Sequence, residues 1–171
     1  MSRQVASFED LVAFLGEEKA AFRQDAEAQI VELAARSGPF DGPVFVRWER
    51  NLPYVQILAP MIRDVAAERV HELEDAICRV NHAVPLAGFG FDFGKRMLYF
   101  RTTLPLDRDG MSAELMKRGI LAAVANARDF MLPFRTVIDG DAGAHVLQLV
   151  IEQERAKRAA RARDVASVFG E

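Results

Sequence analysis

Side chains that could carry chemistry are concentrated on one predicted helix, between residues 65 and 84. Cys78 and His82 are four positions apart, so a helix would place them side by side, and a histidine next to a cysteine can generate a nucleophilic thiolate. His71 and Asp75 lie partly on the same side, which would add two groups able to bind a metal. Cysteine beside an apolar stripe usually packs as a small hydrophobic residue, however, and this spacing is not that of a known zinc site. We therefore predict no catalytic residue and no metal, and a chain that is not an enzyme.

Two glycine-containing segments resemble ligand-binding loops only in part. Residues 139–143, DGDAG, begin like a calcium loop but lack its later oxygen ligands and its closing glutamate. Residues 88–94, GFGFDFG, have glycines at the wrong spacing for a dinucleotide-binding loop, and no helix follows directly. Alternating glycine and phenylalanine suit a strand, in which Phe89, Phe91 and Phe93 would be core or dimer contacts. Neither segment predicts a cofactor.

The composition and charge of the chain exclude several classes of protein. Of its 171 residues, 50% are hydrophobic and 27% are charged, as in an ordinary globular protein. The net charge of −3 argues against a general nucleic-acid-binding protein, which needs a basic surface to displace phosphate counterions. No stretch has the apolar length of a membrane span, and the N-terminus lacks the pattern of a signal peptide. We therefore expect no nucleic-acid and no membrane partner. A single cysteine, Cys78, cannot form an internal disulfide, which fits a reducing compartment, so we expect a cytoplasmic protein.

The hydrophobic pattern of the N-terminal part predicts helix. Ser7 and Asp10 form a capping arrangement, and apolar residues then recur at helical spacing. The residues of this stripe are Phe8, Leu11, Val12 and Leu15, followed by Phe22, Ala26, Ile30 and Leu33. The glycines and prolines of SGPFDGP, residues 37–43, predict a loop, so that residues 1–36 form an N-terminal helical region.

Two β-hairpins and three further helices are predicted from the rest of the chain. The hairpins are 44–50 with 54–61 and 88–92 with 97–104. Pro53 and Pro60 should bound the second strand, since proline donates no hydrogen bond to a ladder. The first helix has a buried stripe formed by Val70, Leu73, Ile77, Val80 and Val84. The second is capped by Ser112, and its buried residues are Leu115, Met116, Ile120, Ala123, Val124 and Ala127. The third covers residues 144–169. Residues 130–143 are interpreted as an exit from the second of these helices, with possible short extended structure.

An internal repeat organises these elements. At an offset of 45 residues Tyr54 matches Tyr99, and three further positions of the strand-to-helix corner are identical. The chain would then contain two ββα units, 44–84 and 87–130. The alternative is that short strand-to-helix connections favour proline, arginine and aspartate for local chemical reasons, so that the matches arise without a repeat. One unit has too little apolar area to fold alone, whereas two complete a shared layer. We predict an α+β fold with an antiparallel sheet of four to five strands, helices mainly on one face, and additional N- and C-terminal helices.

Alternation along the strands divides the sheet residues between its two faces. Val55, Ile57 and Ala59, with Leu98, Phe100 and Leu104, should lie beneath the helices. The opposite face would present Tyr54, Gln56 and Leu58, with Tyr99, Arg101 and Thr103. Because tyrosine and arginine are enriched in interfaces, we interpret these six as candidate partner-binding residues. A half-solvated face, or one covered by the N-terminal helix, remains the alternative.

Several phrases resemble a known group of proteins. The strand LPYVQILAPM, a helix that ends in Asn81, the following segment PLAGFGFD and the strand LYFRTTLPL are similar to those of the YbjN-type bacterial proteins. These are described as candidate sensory-transduction regulators and share the fold of type III secretion chaperones. The likeness covers roughly 44–140, and the chain departs from it in its long N-terminal helical region and its C-terminal helix. The resemblance implies a small dimeric cytosolic protein that holds an extended client segment, and it transfers no site residues.

Together these features predict a protein-binding, chaperone-like or regulatory module that forms a homodimer and has a protein client or regulatory partner. The predicted parts are an N-terminal helical region, 1–36, a chaperone-like α+β domain, 44–140, and a C-terminal helical extension, 144–171. The alternative is a small regulatory domain that binds a ligand in a pocket between helices and sheet.

Overall fold

The computed structural model describes residues 3–86, 88–140, 147–153 and 156. Its strands are β1 Gln4–Val5, β2 Phe22–Asp25, β3 Ile30–Ser37, β4 Phe40–Trp48, β5 Tyr54–Ile62, β6 Phe89–Asp92, β7 Met97–Pro105 and β8 Met111–Ser112. Its helices are α1 Phe8–Glu17, α2 Val70–Ala83 and α3 Ala113–Asp139, and a short 3-10 turn, Ala67–Arg69, precedes α2. Residues 147–153 are also helical.

Six strands form the main sheet in the order β2-β3-β4-β5-β7-β6, and every neighbouring pair is antiparallel. The two predicted hairpins are its β4–β5 and β6–β7 pairs, so the α+β class and the antiparallel sheet are confirmed. The predicted number of four to five strands is wrong, because β2 and β3 extend the sheet. The internal ββα repeat stays a prediction.

The helix predicted after Gly16 is wrong. Residues 22–37 form strands β2 and β3, in which buried Val31 and Leu33 alternate with half-buried Glu32 and exposed Ala34. This alternation has the period of a strand, whereas the helical spacing read from the sequence mixes residues of both faces. Strand β3 pairs with β4 along its whole length, and this pairing favours the extended form. The local sequence pattern of residues 22–37 gives no information about such a long-range contact.

The loop predicted at 37–43 is instead a tight hairpin turn. Ser37 pairs with Phe40, so only two residues join β3 to β4. Gly38 has a φ of 55°, a conformation that glycine adopts without steric cost. Pro60 likewise fails to end its strand, because a bulge between Pro60 and Ile62 carries β5 past it.

Helix α3 is longer than predicted and passes through Pro133 to Asp139. The exit predicted over 130–143 is therefore wrong for residues 130–139. Phe130 and Phe134 of this part are buried, and their ring centroids lie 5.0 and 5.2 Å from that of Phe89 on β6. Burial of these rings outweighs the loss of one helical hydrogen bond at the proline. The helix ends where Gly140 takes a left-handed conformation with a φ of 82°.

The layer between α3 and the sheet is closely packed by small residues. Gly119, Ala123 and Ala127 are buried at every fourth position of α3. A Cβ atom on Gly119 would lie 2.6 Å from Cδ1 of Leu104 and 3.0 Å from Cδ1 of Ile57. The apolar sheet residues predicted to lie beneath the helices are fully buried, except the half-buried Leu104, and they are Val55, Ile57, Ala59, Leu98 and Phe100. Predicted Leu115, by contrast, is exposed.

The ends of the helices are fixed by polar contacts. Ser7 and Ser112 accept hydrogen bonds from the backbone amides of Asp10 and Leu115, which confirms both predicted N-caps. Lys117 of α3 pairs with Glu18 at the end of α1, and this hydrogen bond and charge raise the pKa of Lys117. The Lys117–Glu18 pair joins the end of α1 to the start of α3.

The predicted C-terminal helix is described only in part. Residues 147–153 are helical, and Leu147 and Ile151 are buried in the main core, whereas Leu149 is exposed. The rest of the predicted helix over 144–169, apart from residue 156, lies outside the described residues.

Asn81 of α2 pairs with the outer edge of β6. Its Nδ2 donates to the carbonyl of Phe89 at 2.8 Å, and its Oδ1 accepts from the amides of Phe89 and Gly88 at 3.0 and 3.1 Å. The side-chain amide thus satisfies backbone groups that a neighbouring strand would otherwise pair. This contact fixes the β6–β7 hairpin to α2.

We expect Asn81→Ala to lower the free energy of unfolding by about 1–3 kcal/mol, because half-buried backbone groups lose their partner. Asn126→Ala is the matched control, since among the described residues Asn126 Nδ2 donates only to the carbonyl of Ala122, one turn earlier on its own helix. It should change stability by no more than about 0.5 kcal/mol. Urea unfolding followed by circular dichroism measures both, and equal effects would contradict the role given to Asn81.

Candidate partner-binding face

The groups on α2 that could carry chemistry lie on its exposed surface. Cys78, His71 and His82 are exposed, and Asp75 pairs with Arg79 at 2.7 Å. Within the described residues, no group of three or more histidine, cysteine or acidic side chains is arranged to hold a metal ion. The expectation that Cys78 packs as a small hydrophobic residue is wrong, because its side chain is exposed, and the absence of a catalytic role stays a prediction.

The six candidate residues predicted from the sequence lie on one face of the main sheet. Gln56 pairs with Thr103 and Leu58 with Arg101, while Tyr99 is opposite Pro60 and Tyr54 is opposite Pro105. The residues between them on each strand point to the helices and are buried. We call this side of the sheet, away from α3, the open face.

Strand β4 adds two residues that the sequence interpretation missed. Phe45 is opposite Leu58, and Arg47 is opposite Gln56, so Leu58 and Gln56 each have neighbours on both sides. The signal was present in VFVRW, where Val44, Val46 and Trp48 are buried and the two residues between them are not. That strand was predicted, but its outward residues were not assigned to the face.

A hollow of about 780 Å³ lies on the open face. Its lining residues are Phe45, Leu58, Pro60, Arg63, Asp64, Asp92, Lys95, Met97, Tyr99 and Arg101. It includes three of the six candidates, Leu58, Tyr99 and Arg101, and leaves out Tyr54, Gln56 and Thr103. Met97 is only 8% exposed, yet it lies outside the main hydrophobic core. The open face therefore has a small apolar cluster of its own, separated from the core by the sheet.

A second hollow of about 500 Å³ lies where β4 and β5 approach the end of α3. Its charged lining residues are Asp41, Arg63, Asp64, Arg135 and Asp139. It adjoins the first hollow at Pro60, Arg63 and Asp64, which line both.

Tyr99 has a structural contact as well as a position on the open face. Its ring lies over Gly90 of β6, where a Cβ atom would come within 2.6 Å of the tyrosine hydroxyl. The guanidinium carbon of Arg101 is 5.9 Å from the ring centroid, within the range of a cation–π contact. A test of binding that replaces Tyr99 would therefore also disturb the sheet edge.

The packing of Tyr99 on Gly90 can be measured with a thermodynamic cycle. We expect Gly90→Ala to destabilise the wild-type chain by about 1–3 kcal/mol, because the added methyl displaces the ring. The same substitution should cost clearly less in a Tyr99→Ala background, since the obstructing ring is gone. Equal costs in both backgrounds would show that the ring does not pack on Gly90 in solution.

No helix in the described part of the chain is long and apolar enough to cross a membrane.

Comparison with known proteins identifies the fold but no sequence family. Neither a protein-family profile nor a curated protein matches the sequence. Among solved structures, the chain is similar to YbjN from E. coli, described as a candidate transcription regulator, with a TM-score of 0.54 and 14% identity over 84% of this chain and 96% of YbjN. It is also similar to a chain of the HopA1–SchA chaperone–effector complex, with a TM-score of 0.46 and 14% identity over 71% of this chain and 94% of that chain. The resemblance to YbjN-type proteins is thus confirmed for the fold, and the chain has the fold of YbjN.

Proposed function

We propose that this chain is a non-enzymatic, cytoplasmic protein-binding module, chaperone-like or regulatory, and that its open face is the binding surface. The observation that carries the proposal is the apolar cluster formed by Phe45, Leu58, Met97 and Tyr99 on the side of the sheet opposite the core. A sheet face that only meets water has no need of such a cluster, whereas the centre of a protein interface is apolar with aromatic and arginine anchors. The fold of YbjN, which is described as a candidate regulator, is compatible with this role.

A ligand pocket between helices and sheet is not favoured as the alternative. At the middle of the sheet the small residues of α3 bring the helix so close that Gly119 has no room for a methyl group above Leu104 and Ile57. The hollow of about 500 Å³ between helix and sheet lies only at the end of α3, beside the charged Arg135 and Asp139. The larger hollow is on the opposite side of the sheet, where a polypeptide side chain can enter from solvent.

The introduction of a single negative charge tests the binding surface. Leu58→Glu should abolish the capture of a protein partner from the native lysate, because the carboxylate would be desolvated at the centre of the interface. Leu121→Glu is the matched control, since Leu121 is 58% exposed on α3, away from the open face. Both variants should keep their stability within about 1 kcal/mol, checked by thermal unfolding. Loss of capture with both variants, or with neither, would contradict the assignment of the open face.

We also propose that the chain forms a homodimer through the tip of the β6–β7 hairpin. Phe93 is 64% exposed there and packs edge-to-face against Phe91, with 5.2 Å between the ring centroids. An aromatic pair of this kind is costly to leave in water and suits a contact between copies. Sedimentation equilibrium should give twice the mass of one chain for the wild type and the mass of one chain for Phe93→Glu. A wild-type monomer, or a variant that stays dimeric, would exclude this contact.

A further inference from the structure

We infer that the open face selects a polypeptide segment in which an apolar side chain is flanked by carboxylates. This inference rests on the proposed function and specifies its partner. It follows from the charges around the larger hollow and from the apolar surface at its base.

The base of the hollow can accept a large apolar side chain. Phe45, Leu58 and Pro60 come from β4 and β5, and Met97 and Tyr99 come from β7. The volume of about 780 Å³ leaves room for a large apolar side chain. Phe45, Leu58 and Tyr99 are only half-buried, so they can bury further apolar area when a partner binds, whereas Met97 is already buried.

Three cations surround that base. Arg63 follows β5, Lys95 lies in the β6–β7 turn and Arg101 lies on β7. Among the described residues, none of the three has a carboxylate within ion-pair distance, whereas Arg47 on the same face pairs with Glu49 at 3.0 Å. Their hydrogen-bonding capacity is therefore available to a partner, and arginine can bind a carboxylate through two parallel hydrogen bonds.

Two acidic residues also line the hollow and limit which anions it can accept. The carboxylate of Asp92 accepts a hydrogen bond from the backbone amide of Lys95 at 3.0 Å, and Asp64 lies at the end of β5. The lining therefore carries a formal excess of one positive charge, in a chain whose net charge is −3. This balance favours separate carboxylates placed beside the cations, whereas a polyphosphate backbone would be repelled by Asp64, Asp92 and the whole chain.

A backbone hydrogen bond joins the two loops that carry Arg63 and Lys95. The amide of Val65, next to Asp64, donates to the carbonyl of Arg96 at 3.1 Å and joins the loop after β5 to the β6–β7 turn. Arg101 is further positioned over the ring of Tyr99. We call Arg63, Lys95 and Arg101 the rim of the hollow. Because the two loops that carry Arg63 and Lys95 are joined, their backbone loses less conformational freedom when a partner binds than unconnected loops would lose.

Selection from a phage library of random dodecapeptides tests the inference directly. Wild-type protein should enrich peptides with aspartate or glutamate within two positions of an aromatic or aliphatic residue. For a synthetic peptide of that group, Lys95→Glu/Arg101→Glu should weaken binding at least tenfold in fluorescence anisotropy. The double variant Arg79→Glu/Arg118→Glu has the same change in net charge on α2 and α3 and should leave binding within about twofold, because those arginines form only exposed intrahelical pairs.

Four results would overturn the inference. The selection could enrich basic or uncharged peptides, or enrich none. Acidic peptides could bind Lys95→Glu/Arg101→Glu as tightly as the wild type, or the protein could bind a labelled DNA duplex in place of peptides and lose that binding in the same double variant. If Leu58→Glu abolishes protein capture while acidic peptides are not enriched, the binding surface stands and only the partner chemistry is wrong. If Leu58→Glu changes nothing, the surface and this inference fail together.

Discussion

The close contact between α3 and the main sheet is the constraint on which the rest of the structure depends. Gly119, Ala123 and Ala127 allow the helix to lie directly on Ile57 and Leu104, and this fills the space on one side of the sheet. With α3 on that side, the alternation of each strand turns the intervening residues toward the other side, where the described part of the chain leaves the larger hollow open. The open face is thus the side of the sheet opposite this closely packed helical layer.

The β6–β7 hairpin connects this core to the candidate site. Phe89 packs among Phe100, Phe130 and Phe134 on the helical side, and Asn81 holds its backbone at the sheet edge. The same hairpin carries Lys95 and supports Tyr99 through Gly90 on the open face. Because β6 has only four residues, its position depends on these contacts more than on its own ladder. The geometry of the hollow is therefore coupled to the aromatic cluster on the opposite side of the sheet.

The sequence resemblance and the structure agree on the fold and differ in its periphery. The strands around Tyr54 and Tyr99, which carried the resemblance, are central neighbours in the sheet. The hairpin of β2 and β3, to which the resemblance over 44–140 did not extend, lies at one edge of the sheet and pairs only with β4. Similarity to YbjN at 14% identity concerns this architecture and gives no information about the role of the residues on the open face.

The sequence by itself determined the features that depend on local periodicity. The faces of β5 and β7, the buried stripe of α2 and the caps Ser7 and Ser112 could all be predicted, because neighbouring residues decide them. Only the tertiary structure decided that residues 22–37 form strands, since the pairing with β4 and the burial of Val31 and Leu33 outweigh a helical spacing that is present by coincidence. It also decided that α3 continues through Pro133, because Phe130 and Phe134 gain their contacts from Phe89, about 40 residues earlier in the chain. The hollow was likewise decided by the tertiary structure. Its residues come from separate strands and turns, so no local sequence pattern predicts that Phe45, Lys95 and Arg101 line the same site.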